Sequence, residues 1–330
     1  MEMEARYRIL EGISNCVPEN GSGEDEENLL QNFLPLRSYA KLADPKNFLI
    51  TGGRGSGKTE LFRILTSCGG LRHVISEKDR KRYTGLQEQE FLTGYIATGL
   101  GAKAFPTANS CDDLLKIEKP DNLTSFWGGL VCSVILRKFR EDREFRELAD
   151  YYFGAETRKI LEQDSNEVSK WWNVLDVRKE KWESFLDQAD TVLEKRDIHI
   201  CLVYYELDRI CGNYENLFLF IRSLLDFWYR HNSRYTHVKA KIFLRSDLYN
   251  AKALQFVDAS KMGAYRLELN WDTHSLYRLL VKRMANAGVV EMEVYLKEVP
   301  GLLQTEAYGA LGFLPGNSEE AFRLLINKMI

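Results

Sequence analysis

The sequence predicts an α/β fold: a parallel sheet flanked by helices, with a long helical insertion and a helical C-terminal region. Three observations predict it. Residues 47–51 are a short apolar run of buried-strand type, and residues 198–205 are a second, the most apolar strand pattern in the chain. The stretch GGRGSGKT, residues 52–59, joins the first run to a helix at 60–65 with apolar residues three and four apart. Roughly 140 residues separate the two runs, well beyond a short crossover between strands, and much of that interval has helical spacing.

The totals narrow the classes. A chain of 330 residues with 45% hydrophobic and 12% aromatic content can bury one large core or two smaller ones. A net charge of −3 argues against a strongly basic polyanion binder. The six cysteines show no C-x-x-C pair, as expected of reduced thiols in a cytoplasmic protein. The histidines show no H-E-x-x-H or H-x-x-x-H pair, so no zinc site is expected from spacing. There is no signal-peptide pattern, internal repeat or apolar run approaching the ~20 residues of a membrane span.

In order along the chain, residues 1–46 lead in. A short helix over 1–13 precedes a polar, acidic loop at 18–28, and 32–42 runs up to the Asp44-Pro45 turn. The core is expected over 47–270. Cys68, Gly69 and Gly70 stop its first helix, and His73, Val74 and Ile75 suggest a short second strand. Residues 77–195 read as the helical insertion. Its apolar stripe at 123–139 and the tryptophans of 165–194 are core-like, with base stacking the rarer use of such aromatics. Residues 213–231 form an apolar-faced helix, and 238–244 and 265–269 form strands. Asp272 caps the helix that opens a lid region over 271–330, with breaks at Pro300-Gly301 and Leu314-Pro315-Gly316. Asn317 with Glu320 suggests a capping box for the last helix. That apolar helix ends the chain on Ile330, which suggests a partner surface or a longer parent chain.

The stretch at 52–59 satisfies the phosphate-loop pattern G-x-x-x-x-G-K-[ST]. Gly52, Gly53, Arg54, Gly55, Ser56, Gly57, Lys58, Thr59 and Glu60 are therefore candidates to hold a nucleotide. The glycines let the backbone wrap phosphate oxygens, and the amides of 55–59 form an anion nest at a helix start. Lys58 would reach the β- and γ-phosphates, and the Thr59 hydroxyl would ligate Mg²⁺. ATP and Mg²⁺ are the implied cofactors; a glycine-rich turn that binds nothing is the competing reading.

Nucleoside triphosphatases with a phosphate loop place an acidic residue at the end of a neighbouring strand. Here that position reads Tyr205-Glu206, so a tyrosine stands where the Mg²⁺-binding carboxylate belongs. Glu206 remains in the place of the catalytic base, and on an extended chain Asp208 shares its side. Glu206 and Asp208 are the catalytic and metal-ligating candidates beside Lys58 and Thr59. Three readings stay open: one of these carboxylates takes over the metal, hydrolysis is slow or absent, or Tyr205 is an allelic or engineered change. At the next strand end, Arg245, Ser246 and Asp247 are candidates for a γ-phosphate sensor or for simple helix capping. Arg209 and Arg283 are candidate arginine fingers or surface ion pairs.

The phrases FLITGGRGSGKT, ICLVYYELDRI, AKIFLRSDLYN and YRLELNWDTHSLYRLLVKRM resemble bacterial P-loop ATPases of the ASCE class, AAA+/STAND/KAP type, many from anti-phage defence systems. The likeness covers about residues 30–75 and 195–285. It implies a strand inserted between the phosphate-loop strand and the Glu206 strand, and a helical lid. It also implies homo-oligomers with a trans-acting arginine. The expected function is an ATP-binding, ATP-hydrolysing switch that controls a separate effector protein, with no membrane partner. A nucleic-acid-engaged motor, drawing on the basic stretches at 137–146 and 178–181, and a nucleotide-stabilised scaffold are the alternatives.

Overall fold

The computed structural model describes residues 3–15, 25–75, 89–117, 123–176, 179–250, 259–286, 288–290, 292, 296, 298–303, 314–316 and 318–329. The expected acidic loop lies mostly outside these residues, as does Asn317. The chain divides into two compact units. The smaller comprises Met1–Ala40, Gly55–Asp79 and Leu269–Ile330; the larger comprises Lys41–Arg54 and Arg80–Glu268.

The larger unit holds an α/β core whose five-stranded parallel sheet runs in the order β2-β3-β4-β1-β5. The strands are β1 (Leu49–Gly52), β2 (Glu90–Tyr95), β3 (Ile200–Tyr204), β4 (Val238–Arg245) and β5 (Arg266–Leu269). β4 lies between β1 and β3, the inserted position that the resemblance implies. Every residue of β1 and β3 is buried, as expected of a sheet covered on both faces. β4 reads VKAKIFLR yet buries both of its lysines. The Lys241 ammonium donates to the carbonyls of Asp44 and Asn47, and Lys239 to those of Asn232 and Tyr235.

Eight helices of the larger unit are described: α4 (Ala108–Ile117), α5 (Thr124–Lys138), α6 (Arg143–Phe153), α7 (Ala155–Gln163), α8 (Val168–Asp176), α9 (Lys179–Lys195), α10 (Tyr214–His231) and the single turn α11 (Ser246–Tyr249). The run expected as one helical stretch at 165–194 is two helices. α5 is apolar all round, and residues 125–136 are all buried, so it forms the centre of the layer. Gly128 and Gly129 allow this. A Cβ on Gly128 would lie 2.5 Å from the Trp182 ring of α9, and one on Gly129 would lie 2.5 Å from Trp171 of α8. Trp127, Trp171, Trp172, Trp182 and Trp228 are all core residues.

Two expectations change. Gly70–His73 is a 3₁₀ turn and residues 73–75 are not a strand. The second strand is β2, inside the stretch read as helical. Its sequence EFLTGY hides it. Gly94 interrupts the apolar pattern because the Tyr204 ring lies where a Cβ would be, at 2.9 Å, and the register shifts between Thr93 and Tyr95.

The smaller unit contains α1 (Met3–Asn15), α2 (Glu26–Asn32), α3 (Lys58–Ser67), α12 (Thr273–Ala285) and α13 (Glu319–Met329). Val281, Met284, Leu296, Leu302, Phe322 and Leu325 form a cluster between α12 and α13. Asp272 caps α12 by accepting from the Ser275 amide at 2.6 Å. The Ser318 hydroxyl accepts from the Ala321 amide at the start of α13.

Candidate nucleotide site

The phosphate loop starts in β1 and ends in α3. In the smaller unit, Gly55 (φ 74°) and Gly57 (φ 86°) are both left-handed, the conformations that favour glycine. A Cβ on Gly53 or on Gly55 would meet nothing within 4 Å, so the backbone there borders open space. α3 begins at Lys58 directly after Gly57, and a helix start of this kind favours an anion. The Lys58 ammonium lies 3.4 Å from the Ser56 hydroxyl. The loop is held from outside by Trp271, whose indole N–H donates to the Ser56 carbonyl at 3.2 Å. The same ring lies 3.9 Å from the Cβ position of Gly57, as does the Glu60 carboxylate. Tyr39 is buried beneath this region of the unit, and burial with the Glu60 charge pushes its phenol up.

In the larger unit, the candidates lie along the carboxyl edge of the sheet, where parallel α/β sheets place ligands. Gly52 is in register with Arg245. The chain leaves β3 through Tyr205, whose ring meets Phe243 edge-on at 6.2 Å and whose amide donates to the Tyr95 carbonyl at 3.0 Å. Glu206 follows in a left-handed conformation, φ 56°, and Leu207–Arg209 is a 3₁₀ turn. The segment is therefore not extended, and the expected shared side of Glu206 and Asp208 is lost. The two carboxylates make different contacts. Glu206 accepts from the Thr98 amide at 2.8 Å and from its hydroxyl at 2.7 Å, with Arg209 3.6 Å away. Asp208 pairs with Arg245 at 3.3 Å. Arg245 also forks onto Asp247 at 3.1 and 2.6 Å, which holds the Asp247 carboxyl below its usual range. Ser246 starts the α11 turn, its carbonyl accepting from Asn250. Arg283 lies on α12.

Sequence reading missed two residues. Thr98 follows the unrecognised β2, so nothing marked it. Trp271 stood inside the phrase NWDTHS without a role. Both become legible only when separate parts of the chain are folded together. The residues fit a polyphosphate: left-handed glycines, a helix start, a lysine and a hydroxyl. For Mg²⁺ the fit is partial, because Tyr205 offers an uncharged ring in place of a carboxylate.

Four of the basic residues considered for nucleic acid have internal partners. Arg137 is over the Phe105 ring and donates to the Ala104 carbonyl; burial lowers it to about 10. Lys138 pairs with Glu90, Arg140 with Glu141 and Arg143 with Glu147.

A family model described as ORC-CDC6-like matches residues 19–100, about a quarter of the chain. The match takes in β1, the phosphate loop, α3, β2 and Thr98. That stretch is similar to an ORC-CDC6-like domain, and the sheet around it is consistent with an AAA+ P-loop nucleoside triphosphatase. The matched description names neither the STAND nor the KAP branch. No curated protein and no solved structure matches the chain. No described helix is long and apolar enough to cross a membrane.

Proposed function

We propose that the chain binds ATP on residues 52–59, hydrolyses it slowly, and uses the bound state as an oligomeric switch on a separate effector protein. The carrying observation is the loop itself: left-handed Gly55 and Gly57 leading into α3, with Trp271 holding the Ser56 carbonyl. Magnesium ATP would supply the phosphoanhydride and the cation. The amides of Gly55 to Thr59 bind its oxygens, Lys58 exchanges Ser56 for phosphate, and Thr59 offers a hydroxyl to the cation. Glu206 is the residue this reading assigns to orient water, and Thr98 occupies its carboxylate. Tyr205 contributes no negative charge. Retention of ATP then outlasts cleavage, which suits a switch better than a motor. The likeness of residues 30–75 and 195–285 to anti-phage ATPases supports a place in such defence.

The test is ATP binding and turnover in parallel. Lys58→Ala should lose binding, whereas Tyr205→Asp should keep it and raise turnover on the order of tenfold or more, by restoring a metal carboxylate. A parent with no measurable affinity for ATP would end the proposal. A parent that binds but never turns over, rescued only by Tyr205→Asp, would favour the scaffold.

A further inference from the structure

The amino edge of the same sheet carries a second constellation, unrelated to the nucleotide. Ile200 and Val238 are register partners at the starts of β3 and β4. The residues just before them are both histidines. His199 and His237 stack with ring centroids 4.2 Å apart and 20° between planes. Asp197 completes the group, its Oδ1 lying 3.5 Å from His199 Nε2. One donor atom from each of the three lies within 4.8 Å of the others. We propose that Asp197, His199 and His237 form a site for a borderline-soft divalent transition ion, with Zn²⁺ the first choice for an N,N,O donor set.

Four features support a built site. The loop carrying His237 is fixed from below by Asp190 of α9, itself only 8% exposed. Its oxygens accept from the amides of Thr236, His237 and Val238 at 2.8, 2.8 and 2.9 Å. The Thr236 hydroxyl bonds His237 Nδ1 at 2.9 Å, which leaves Nε2 to an ion and sets the ring's orientation. Nδ1 of His199 is buried without a hydrogen-bond partner, a costly state that an ion or a ring rotation onto one would relieve.

The fourth feature is Asp197. α9 ends in a Schellman motif: the Ile198 amide donates to the Leu193 carbonyl and the Asp197 amide to that of Glu194. Asp197 is the left-handed residue of that motif, at φ 52°. Glycine is the usual occupant, and aspartate is one of the few other residues that takes this conformation readily. The carboxylate is 92% exposed, which leaves an entry path and a water position on the ion. Tetrahedral bonds of about 2.0–2.2 Å bring donors to roughly 3.3 Å from one another, so the loop ends must close by about an ångström. Closure would tie the end of α9 to the starts of β3 and β4. Spacing rules miss such a site because parallel register, not helical periodicity, joins the two histidines.

The experiment uses the full chain, stripped with chelator and titrated with Zn²⁺ against a chromophoric competitor, then with Co²⁺ for its visible spectrum. One equivalent should bind, with no thiolate charge-transfer band. His199→Phe and His237→Phe keep a stacking ring and should remove the binding. Asp197→Gly suits the backbone, so it should fold at least as well without metal. It should weaken Zn²⁺ by roughly 10- to 100-fold, and Thr236→Val by about tenfold through the ring orientation. At a fixed Zn²⁺ concentration the melting temperature of the parent should rise more than that of Asp197→Gly. Binding that is unchanged in Asp197→Gly and in both histidine variants, or a thiolate band, assigns the ion to other groups and overturns the proposal. So does an absence of binding.

Discussion

On the proposed function, the contact between Thr98 and Glu206 governs whether bound ATP is cleaved. Both Glu206 oxygens face the Thr98 hydroxyl, at 2.9 and 2.7 Å, and one also takes the Thr98 amide. A carboxylate so occupied is a poor acceptor for a water proton. Thr98→Ala removes the hydroxyl and leaves the amide, so turnover should rise a few-fold, on the order of 2- to 10-fold, at unchanged ATP affinity. Steady-state hydrolysis beside a binding isotherm checks this; a fall in turnover would mean that Thr98 positions the base instead of restraining it. Trp271 offers a direct reading of the loop. The other five tryptophans are core residues of the larger unit, so a change in emission on adding ATP should come from Trp271. Trp271→Phe should abolish that change and weaken ATP about fivefold, the worth of one hydrogen bond of about 1 kcal/mol. The phosphate loop was legible because its chemistry lies in eight consecutive residues. Thr98 lies 108 residues from Glu206 and Trp271 lies 215 from Ser56, and no local pattern joins them.

Elements were legible where apolar periodicity was strong and hidden where tertiary contacts override it. β1, β3 and β4 follow their apolar runs, but β2 has a glycine because Tyr204 needs the space. α5 shows the same logic. Gly129→Ala ought to gain about 1 kcal/mol of helix propensity, but the new methyl would meet Trp171 at 2.5 Å and Leu175 at 2.9 Å. Overpacking of this kind costs about 1–3 kcal/mol, so the net effect should be destabilising, seen as a lower denaturant midpoint. β4 carries a pH signature. Burial depresses Lys241 from 10.5 to about 8, with Cys201 and Asp44 opposing and Lys239 adding to the shift. The unfolded chain therefore binds the extra proton between pH 8 and 10.5, and this lysine's penalty is relieved as pH rises through that window. The stability difference between Lys241→Met and the parent should narrow in the variant's disfavour over that range, by up to roughly 3 kcal/mol at about 1.4 kcal/mol per pKa unit. Urea melts of both proteins at pH 7.5 and pH 10, as ~2 points on the curve, test the sign; a constant difference would mean that Lys241 stays protonated throughout.

At the scale of the whole molecule, the proposed switch requires assembly. The two units are interleaved along the chain, with the phosphate loop passing from one to the other, and no shift in composition marks the passage. In the smaller unit, α12 leaves Leu276 (51%) and Leu280 (42%) exposed one helical turn apart, and α13 leaves Leu324 at 49%. Leu276 and Leu280 lie on a helix that begins at Thr273, just after the residue that holds Ser56. That arrangement suits a surface presented to a second copy when the loop is filled. The parent should gain mass on adding Mg²⁺ and ATP, measured by light scattering after size exclusion. Lys58→Ala should stay at its nucleotide-free mass. Leu276→Glu with Leu280→Glu should bind ATP with the parent's affinity but fail to assemble, which separates the surface from the site. If the double variant assembles like the parent, α12 is not the contact; if the parent keeps one mass with and without ATP, the switch loses its oligomeric step.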